Sequence, residues 1–265
     1  MTLGELLYTV RKSQNISQND LCKGICSISQ YSRLENDQIL LEKIVVDRIL
    51  ERLGKNASAM EFVIDDEDFY YARIRMLIDE KILNGDLESA KALLNEYIFS
   101  CPDSSKRIHL QYIYEKMAEI EYRLGRLKTC EKCAEISLKM VGINSTQISI
   151  KLFSIIELKA FYYLSVSSDK YKDCLKILNQ YLDSLEHESY EIKLLSAEVK
   201  YQMAKRSYQN KGEDTLLLLE NAEKYIKKEY ILDNLYEVLT LKKCILGNDF
   251  EEESLLKRLK SIKMK

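Results

Sequence analysis

Leu3, Leu6, Leu7 and Val10 recur at spacings of three and four and predict a first helix over Leu3 to Ser13, closed by Arg11 and Lys12 in its last turn. Leu21, Ile25, Ile28, Tyr31 and Leu34 keep that spacing across a break at Gly24, which predicts two short helices joined by a tight turn. Ser17, with Asp20 three places on, is the predicted N-cap of the first. Ser27 and Gln30 have the spacing of a capping box at the start of the second. Glycine takes a left-handed conformation without steric cost, so Gly24 suits the change of direction. Leu41, Ile44, Val45, Ile49, Leu50 and Leu53 predict one or two further helices over Leu40 to Gly54, with Gly54 as terminator.

From about Asp66 the apolar pattern lengthens into helices separated by short polar turns. The predicted pairs are Phe69 to Asn84 with Leu87 to Phe99, Arg107 to Leu124 with Leu127 to Met140, Ile148 to Val166 with Tyr171 to Leu185, and Tyr190 to Gln209 with Leu216 to Tyr230. A helix over Leu232 to Leu246 and a charged one after Asp249 follow. Their breaks at Gly85, Gly125, Asp169 and Gly212 lie 40, 44 and 43 residues apart, an internal repeat of helix hairpins. That period exceeds the roughly 34 residues of a tetratricopeptide repeat and suits a degenerate form with longer first helices. A lone hairpin cannot bury its apolar face, so stacking into a right-handed superhelical solenoid is expected. The expected fold is all-α: a five-helix helix-turn-helix domain at 1–55, a linker at 56–66, and tetratricopeptide-like repeats over 67–265.

Composition sharpens this reading. One proline and eight glycines in 265 residues leave few helix breakers. Net charge is −2, and residues 1–55 carry eight Lys and Arg against seven Asp and Glu, a small electrostatic footprint for a nucleic-acid binder. Arg11, Lys12, Lys23 and Arg33 supply its local positive charge. No stretch is long and apolar enough to span a membrane, and the N-terminus lacks a signal peptide's apolar block. A cytoplasmic protein is expected, with its seven cysteines as reduced core thiols.

The run L-x-x-G-I-C-x-x-S-x-x-S-R-L-E, Leu21 through Glu35, resembles the helix-turn-helix of Rgg/PlcR-type bacterial regulators. The resemblance is close over Leu3 to Lys55 and one of pattern beyond. It implies a dimeric transcription regulator that binds palindromic double-stranded DNA and takes a short signal peptide in its helical repeats. It also implies an Arg11–Glu35 ion pair and a phosphate contact from Gln18. Family members more often carry glycine where Asn36, Asp37 and Gln38 stand here, so a differently shaped loop is expected.

The candidate DNA-binding residues are Gln18, Lys23, Ser27, Ser29, Gln30, Tyr31 and Arg33. Small polar side chains at a helix start, backed by arginine, suit major-groove base edges. Ser29, Gln30 and Tyr31 are assigned to bases, and Gln18, Lys23 and Arg33 to phosphates. For a peptide, Tyr112, Tyr162 and Tyr201 offer apolar area with a polar tip, and Asn179 and Asn234 offer backbone-bonding amides. Cys130 and Cys133 have a redox or metal spacing but lie within one predicted helix with no second pair, so they are read as packing thiols. His109 and His187 have no identifiable catalytic neighbours. No nucleophile elbow, phosphate-binding glycine loop or zinc motif occurs, and neither an enzyme nor a cofactor is expected. The alternative is an adaptor or peptide-regulated phosphatase-type solenoid acting on a partner protein. The segment SRLE, Ser32 to Glu35, favours the regulator.

Overall fold

The computed structural model describes residues 1–57, 64–103, 105–144, 152–185, 189–229, 231, 234–247 and 250–263. The chain divides into two compact units, Met1–Cys174 and Leu175–Lys265. All regular structure among the described residues is helical.

Four helices form the N-terminal head: α1 (Leu3–Ser13), α2 (Gln18–Cys22), α3 (Ile28–Glu35) and α4 (Lys43–Arg52). Each of the first three starts on a hydroxyl. Thr2 makes a capping box with Glu5, Ser17 accepts from the Asp20 amide, and Ser27 makes the box with Gln30. Gly24 (φ +76) and Gly54 (φ +72) are left-handed, as their turns require. In the loop after α3, Asp37 takes a positive φ of +56, and its carboxylate accepts from the Gly4 amide at 3.0 Å. Leu7, Leu21, Tyr31, Leu34, Ile49 and Leu50 close the head's interior.

The rest of the first unit comprises α5 (Asp66–Leu83), α6 (Leu87–Ser100), α7 (Lys106–Arg123), α8 (Leu127–Met140) and α9 (Ile155–Ser167), then a 3-10 turn at Asp169–Tyr171. Helices α5 and α6 pair, as do α7 and α8, and α7 also packs on α6 and α9, which is the stacking of successive hairpins. The helix predicted from Ile148 begins at Ile155, set by a capping box between Ser154 and Glu157. Residues 148–151 lie outside the described residues.

Helix α4 joins head to hairpins at both of its ends. Its Lys43 amide donates to the Asp68 carboxylate of α5 at 3.0 and 3.1 Å, so the cap comes from another helix. The Glu42 carboxylate is thereby left for Ser105 (2.6 Å) and for Nε2 of His109 (3.0 Å). His109 is buried, which lowers its pKa and keeps it neutral. With Nε2–H donating to Glu42, Nδ1 accepts from the Tyr97 hydroxyl, which itself accepts from Arg75 at 3.0 Å. The lack of catalytic neighbours expected for His109 has this cause: it is a spacer in a packed hydrogen-bond chain. His187 lies outside the described residues.

The second unit holds α10, which runs Cys174–Ser184 across the division, with α11 (Tyr190–Gln209), α12 (Thr215–Lys228), α13 (Leu235–Leu246) and α14 (Glu253–Lys263). Helices α11 and α12 pair over a core that includes Ala197, Leu219, Ile226 and Val238. The left-handed residue of their turn is Lys211 (φ +54), one place before Gly212. Of the cysteines, Cys22, Cys101, Cys130 and Cys174 are buried, and none of these four forms a disulfide. Cys244 is exposed, which corrects the expectation that all seven are core thiols.

Candidate nucleic-acid interface

The outer face of α3 is built by its N-terminal box. The Ser27 hydroxyl accepts from the Gln30 amide at 3.1 Å, and the Ser27 amide donates to Gln30 Oε1 at 3.0 Å. This fixes the first turn and leaves the Gln30 Nε2 donor without a partner among the described residues. Ser27, Ile28, Ser29, Gln30 and Arg33 are all exposed, as is Lys23 in the preceding turn. Replacing Ser27 with alanine removes the cap and is expected to lower stability by about 1 kcal/mol. A shift in the urea midpoint at unchanged m-value would measure it.

The inner face of α3 is locked. Arg11 clasps Glu35 in a two-pronged ion pair, Nε to Oε1 at 2.8 Å and Nη2 to Oε2 at 3.0 Å. The third guanidinium nitrogen donates to the Ile16 carbonyl at 2.9 Å. The Gln18 amide and, at 3.4 Å, the Tyr31 hydroxyl close on the same carboxylate. Burial, then the Glu35 charge, raises the Tyr31 pKa.

Beneath the turn, the head rests on the hairpins. The Gly24 α-carbon approaches the end of α8 so closely that a β-carbon there would lie 2.1 Å from the Val141 carbonyl oxygen. Arg52 spans the same seam. Its Nη1 donates to the carbonyls of Leu21 (2.9 Å) and Lys23 (2.7 Å), and its Nη2 meets Glu157 Oε1 at 2.5 Å. Next to it, Glu51 pairs with Arg48 at 2.8 Å and accepts the Ile155 amide at 3.0 Å. The start of α9 is therefore held by the Glu51 carboxylate of α4 as well as by its own Glu157. Between the seam and α3, the neighbouring Cys22 and Cys26 thiols shift one another, Cys22 down to about 7 and Cys26 upward.

Residues 7–59 match the family model described as helix-turn-helix. The head is a helix-turn-helix domain. No curated protein matches the chain. Among solved structures, Bacillus thuringiensis PlcR, in complex with the peptide PapR7 and DNA, aligns with a TM-score of 0.55 at 14% identity, over 97% of this chain and 91% of that one. The apo form of the competence regulator ComR from Streptococcus vestibularis aligns at 0.44 and 15% identity, over 92% of this chain and 84% of that one. The first of these shows that the fold is shared.

Within the helix-turn-helix, α3 displays Ser27, Ser29, Gln30 and Arg33 together on one open flank, with Lys23 in the turn before it. Tyr31 is a correction. It is fully buried against Glu35, because it falls on the apolar stripe with Leu34, and so it is not displayed toward bases. Gln18 is half-buried with its amide committed to Glu35. Two of the expected peptide-facing tyrosines are likewise interior. Tyr112 is buried and donates to the Arg75 carbonyl at 3.1 Å, and Tyr162 is buried edge-on to Tyr122 and Tyr163. In the second unit, Tyr201 packs half-buried on the core. Asn179 accepts from Lys200 and donates to Asp183, both at 2.9 Å. Asn234 is buried and donates to Glu198.

Sequence reasoning missed Arg52, Glu51 and Glu157. The S-x-x-E box at Ser154 to Glu157 was the available signal for the last of these. Cys130 is buried, and burial pushes its thiol up to about 12, while Cys133 is half-buried and also raised. Among the described residues no three of His, Cys, Asp and Glu gather to hold a metal ion. No described helix is long and apolar enough to cross a membrane.

Proposed function

We propose that this chain is a sequence-specific transcription regulator, with α3 as its DNA-reading helix and the helical repeats as the unit that takes a short signal peptide. The observation that carries the reading is the contrast between the two faces of α3. One is sealed by the Arg11–Glu35 pair, and the other leaves Ser29, Gln30 and Arg33 exposed, with no described element of the first unit covering them. Support comes from the helix-turn-helix match over residues 7–59 and from the fold shared with PlcR, whose solved complex holds both a peptide and DNA. Ser29 and Gln30 contact base edges, Lys23 and Arg33 contact phosphates, and two copies on adjacent half-sites read a palindrome. Gln18 steadies Glu35, and through it the angle of α3.

Selecting bound duplexes from a random pool supplies the operator. Against it, Gln30→Ala is expected to weaken binding by about 1–3 kcal/mol and to relax preference at one base pair. Gln30→Glu, which keeps the capping box, is expected to lose the same preference. Arg33→Ala is expected to weaken all sequences alike and to flatten the salt dependence by about one unit of slope. Unchanged specific binding in both alanine variants would show that α3 is not the reading helix.

A further inference from the structure

The apolar spacing that predicts α2 and α3 has one member that the fold does not bury. Leu21, Ile25, Tyr31 and Leu34 are interior, whereas Ile28 is 49% exposed. The Ser27 cap makes Ile28 the first residue of α3, and the buried side of that helix is Tyr31, Leu34 and Glu35. On a turn of 3.6 residues Ile28 lies at the edge of that stripe, with Ser29 following it on the open flank. A single exposed isoleucine needs no explanation by itself. This one stands on the first turn of the helix proposed to read DNA.

What that turn can offer a base pair is limited by its own capping box. The Ser27 hydroxyl accepts from the Gln30 amide at 3.1 Å and gives its proton to Gln30 Oε1 at 3.0 Å. With Oε1 also accepting the Ser27 amide, Gln30 keeps only its Nε2 donor. That donor suits a base acceptor and not the two-point contact to adenine. Ser29 adds a short hydroxyl. Ile28 is then the one side chain of the turn that reaches outward without a polar group. Isoleucine in a helix is nearly fixed at χ1, so little rotamer freedom is lost on contact. The major groove presents one apolar group, the C5 methyl of thymine.

We propose that Ile28 is a specificity-determining residue of the head, its side chain packing on a thymine C5 methyl in each half-site. This rests on the reading of α3 given above and adds to it a base identity that no hydrogen bond supplies. The group recognised is the methyl itself. Cytosine methylated at C5 presents the same contact, and uracil in place of thymine keeps every hydrogen bond while removing it.

Thymine-to-deoxyuridine substitutions in the selected operator test it, by gel-shift titration with the full chain. For the parent, uracil at the contacted position of one half-site is expected to weaken binding about fourfold, as burial of one methyl implies. The symmetric pair of uracils is expected to weaken it about fifteenfold, since well-separated positions add. Ile28→Ala is expected to bind the thymine and uracil operators alike. Ile28→Val keeps a branched apolar end and is expected to retain most of the discrimination. Where cytosine replaces that thymine, C5 methylation is expected to tighten binding by the parent and to leave Ile28→Ala unchanged. Ile28 is exposed and takes no part in the capping box, so the helical circular dichroism of both variants is expected to match the parent.

A selected half-site without thymine, or a parent that tolerates uracil at every thymine, overturns the proposal. So does an equal uracil penalty in the parent and in Ile28→Ala, which places the methyl against another residue. If Gln30→Ala and Arg33→Ala weaken binding while uracil is tolerated, α3 reads DNA and Ile28 does not read the methyl. If neither alanine variant changes specific binding, α3 is not the reading helix and the role of Ile28 falls with it.

Discussion

Arg52→Ala is expected to remove about 3–5 kcal/mol of stability from the first unit, the penalty for leaving one member of a buried ion pair behind. Arg52 is buried, and its guanidinium is divided between two tasks: it neutralises Glu157 and it donates to the Leu21 and Lys23 carbonyls. Alanine performs neither. Glu157 retains the Ser154 amide at 2.7 Å, but its negative charge stays in an interior from which water is excluded. The two carbonyls lose their donor at the turn that orients α3. Arg52→Met is expected to lose less, because it keeps the apolar stem. Adding Glu157→Gln, which removes the charge and keeps a capping-box side chain, is expected to recover part of the deficit. Urea denaturation of the four proteins in the cycle gives the coupling. A loss below about 1 kcal/mol for Arg52→Ala would mean that apolar packing alone holds the seam.

The local chemistry of the head was legible because each part is written within a few residues. Ser17, the Ser27–Gln30 box and Gly24 all stand where capping and turn rules put them. The bounds of α1, α8 and α11 follow directly from apolar spacing and adjacent terminators. The Arg11–Glu35 pair came through family resemblance, since nothing local links residues 24 positions apart. Arg52 and Glu157 are 105 positions apart, and each looks like an ordinary charged helix residue until tertiary packing brings them together. Tyr31 belongs both to the apolar stripe and to the residues assigned to bases, two readings that cannot both hold for one side chain. The structure shows its hydroxyl serving Glu35 instead. The start of α9 shows two signals in conflict: apolar periodicity ran back to Ile148, whereas the hydroxyl-plus-glutamate box set the boundary at Ile155.

Gly24→Ala is expected to separate the head from the hairpins, and its comparison with Gly54→Ala isolates the seam from the backbone. Both glycines are left-handed, at φ +76 and φ +72, so alanine strains each by about 1–2 kcal/mol. They differ in surroundings. A β-carbon on Gly54 meets nothing within 4 Å, whereas one on Gly24 lies 2.1 Å from the Val141 oxygen and 2.9 Å from its carbonyl carbon. Both atoms belong to backbone, which has no rotamer to turn aside, so α2 and α3 must lift away from the end of α8. That displacement pulls the Leu21 and Lys23 carbonyls off Arg52 as well. Gly54→Ala is accordingly expected to cost about 1 kcal/mol, and Gly24→Ala about 3 kcal/mol or more, overpacking being added to strain. Hydrogen exchange gives the spatial readout: faster exchange at the amides of Ile25 and Cys26, which both donate to the Cys22 carbonyl at the displaced turn, with α1 unaffected. Equal losses for the two variants would mean that the turn does not touch Val141 in solution, and the head would then have to be carried by α4 alone.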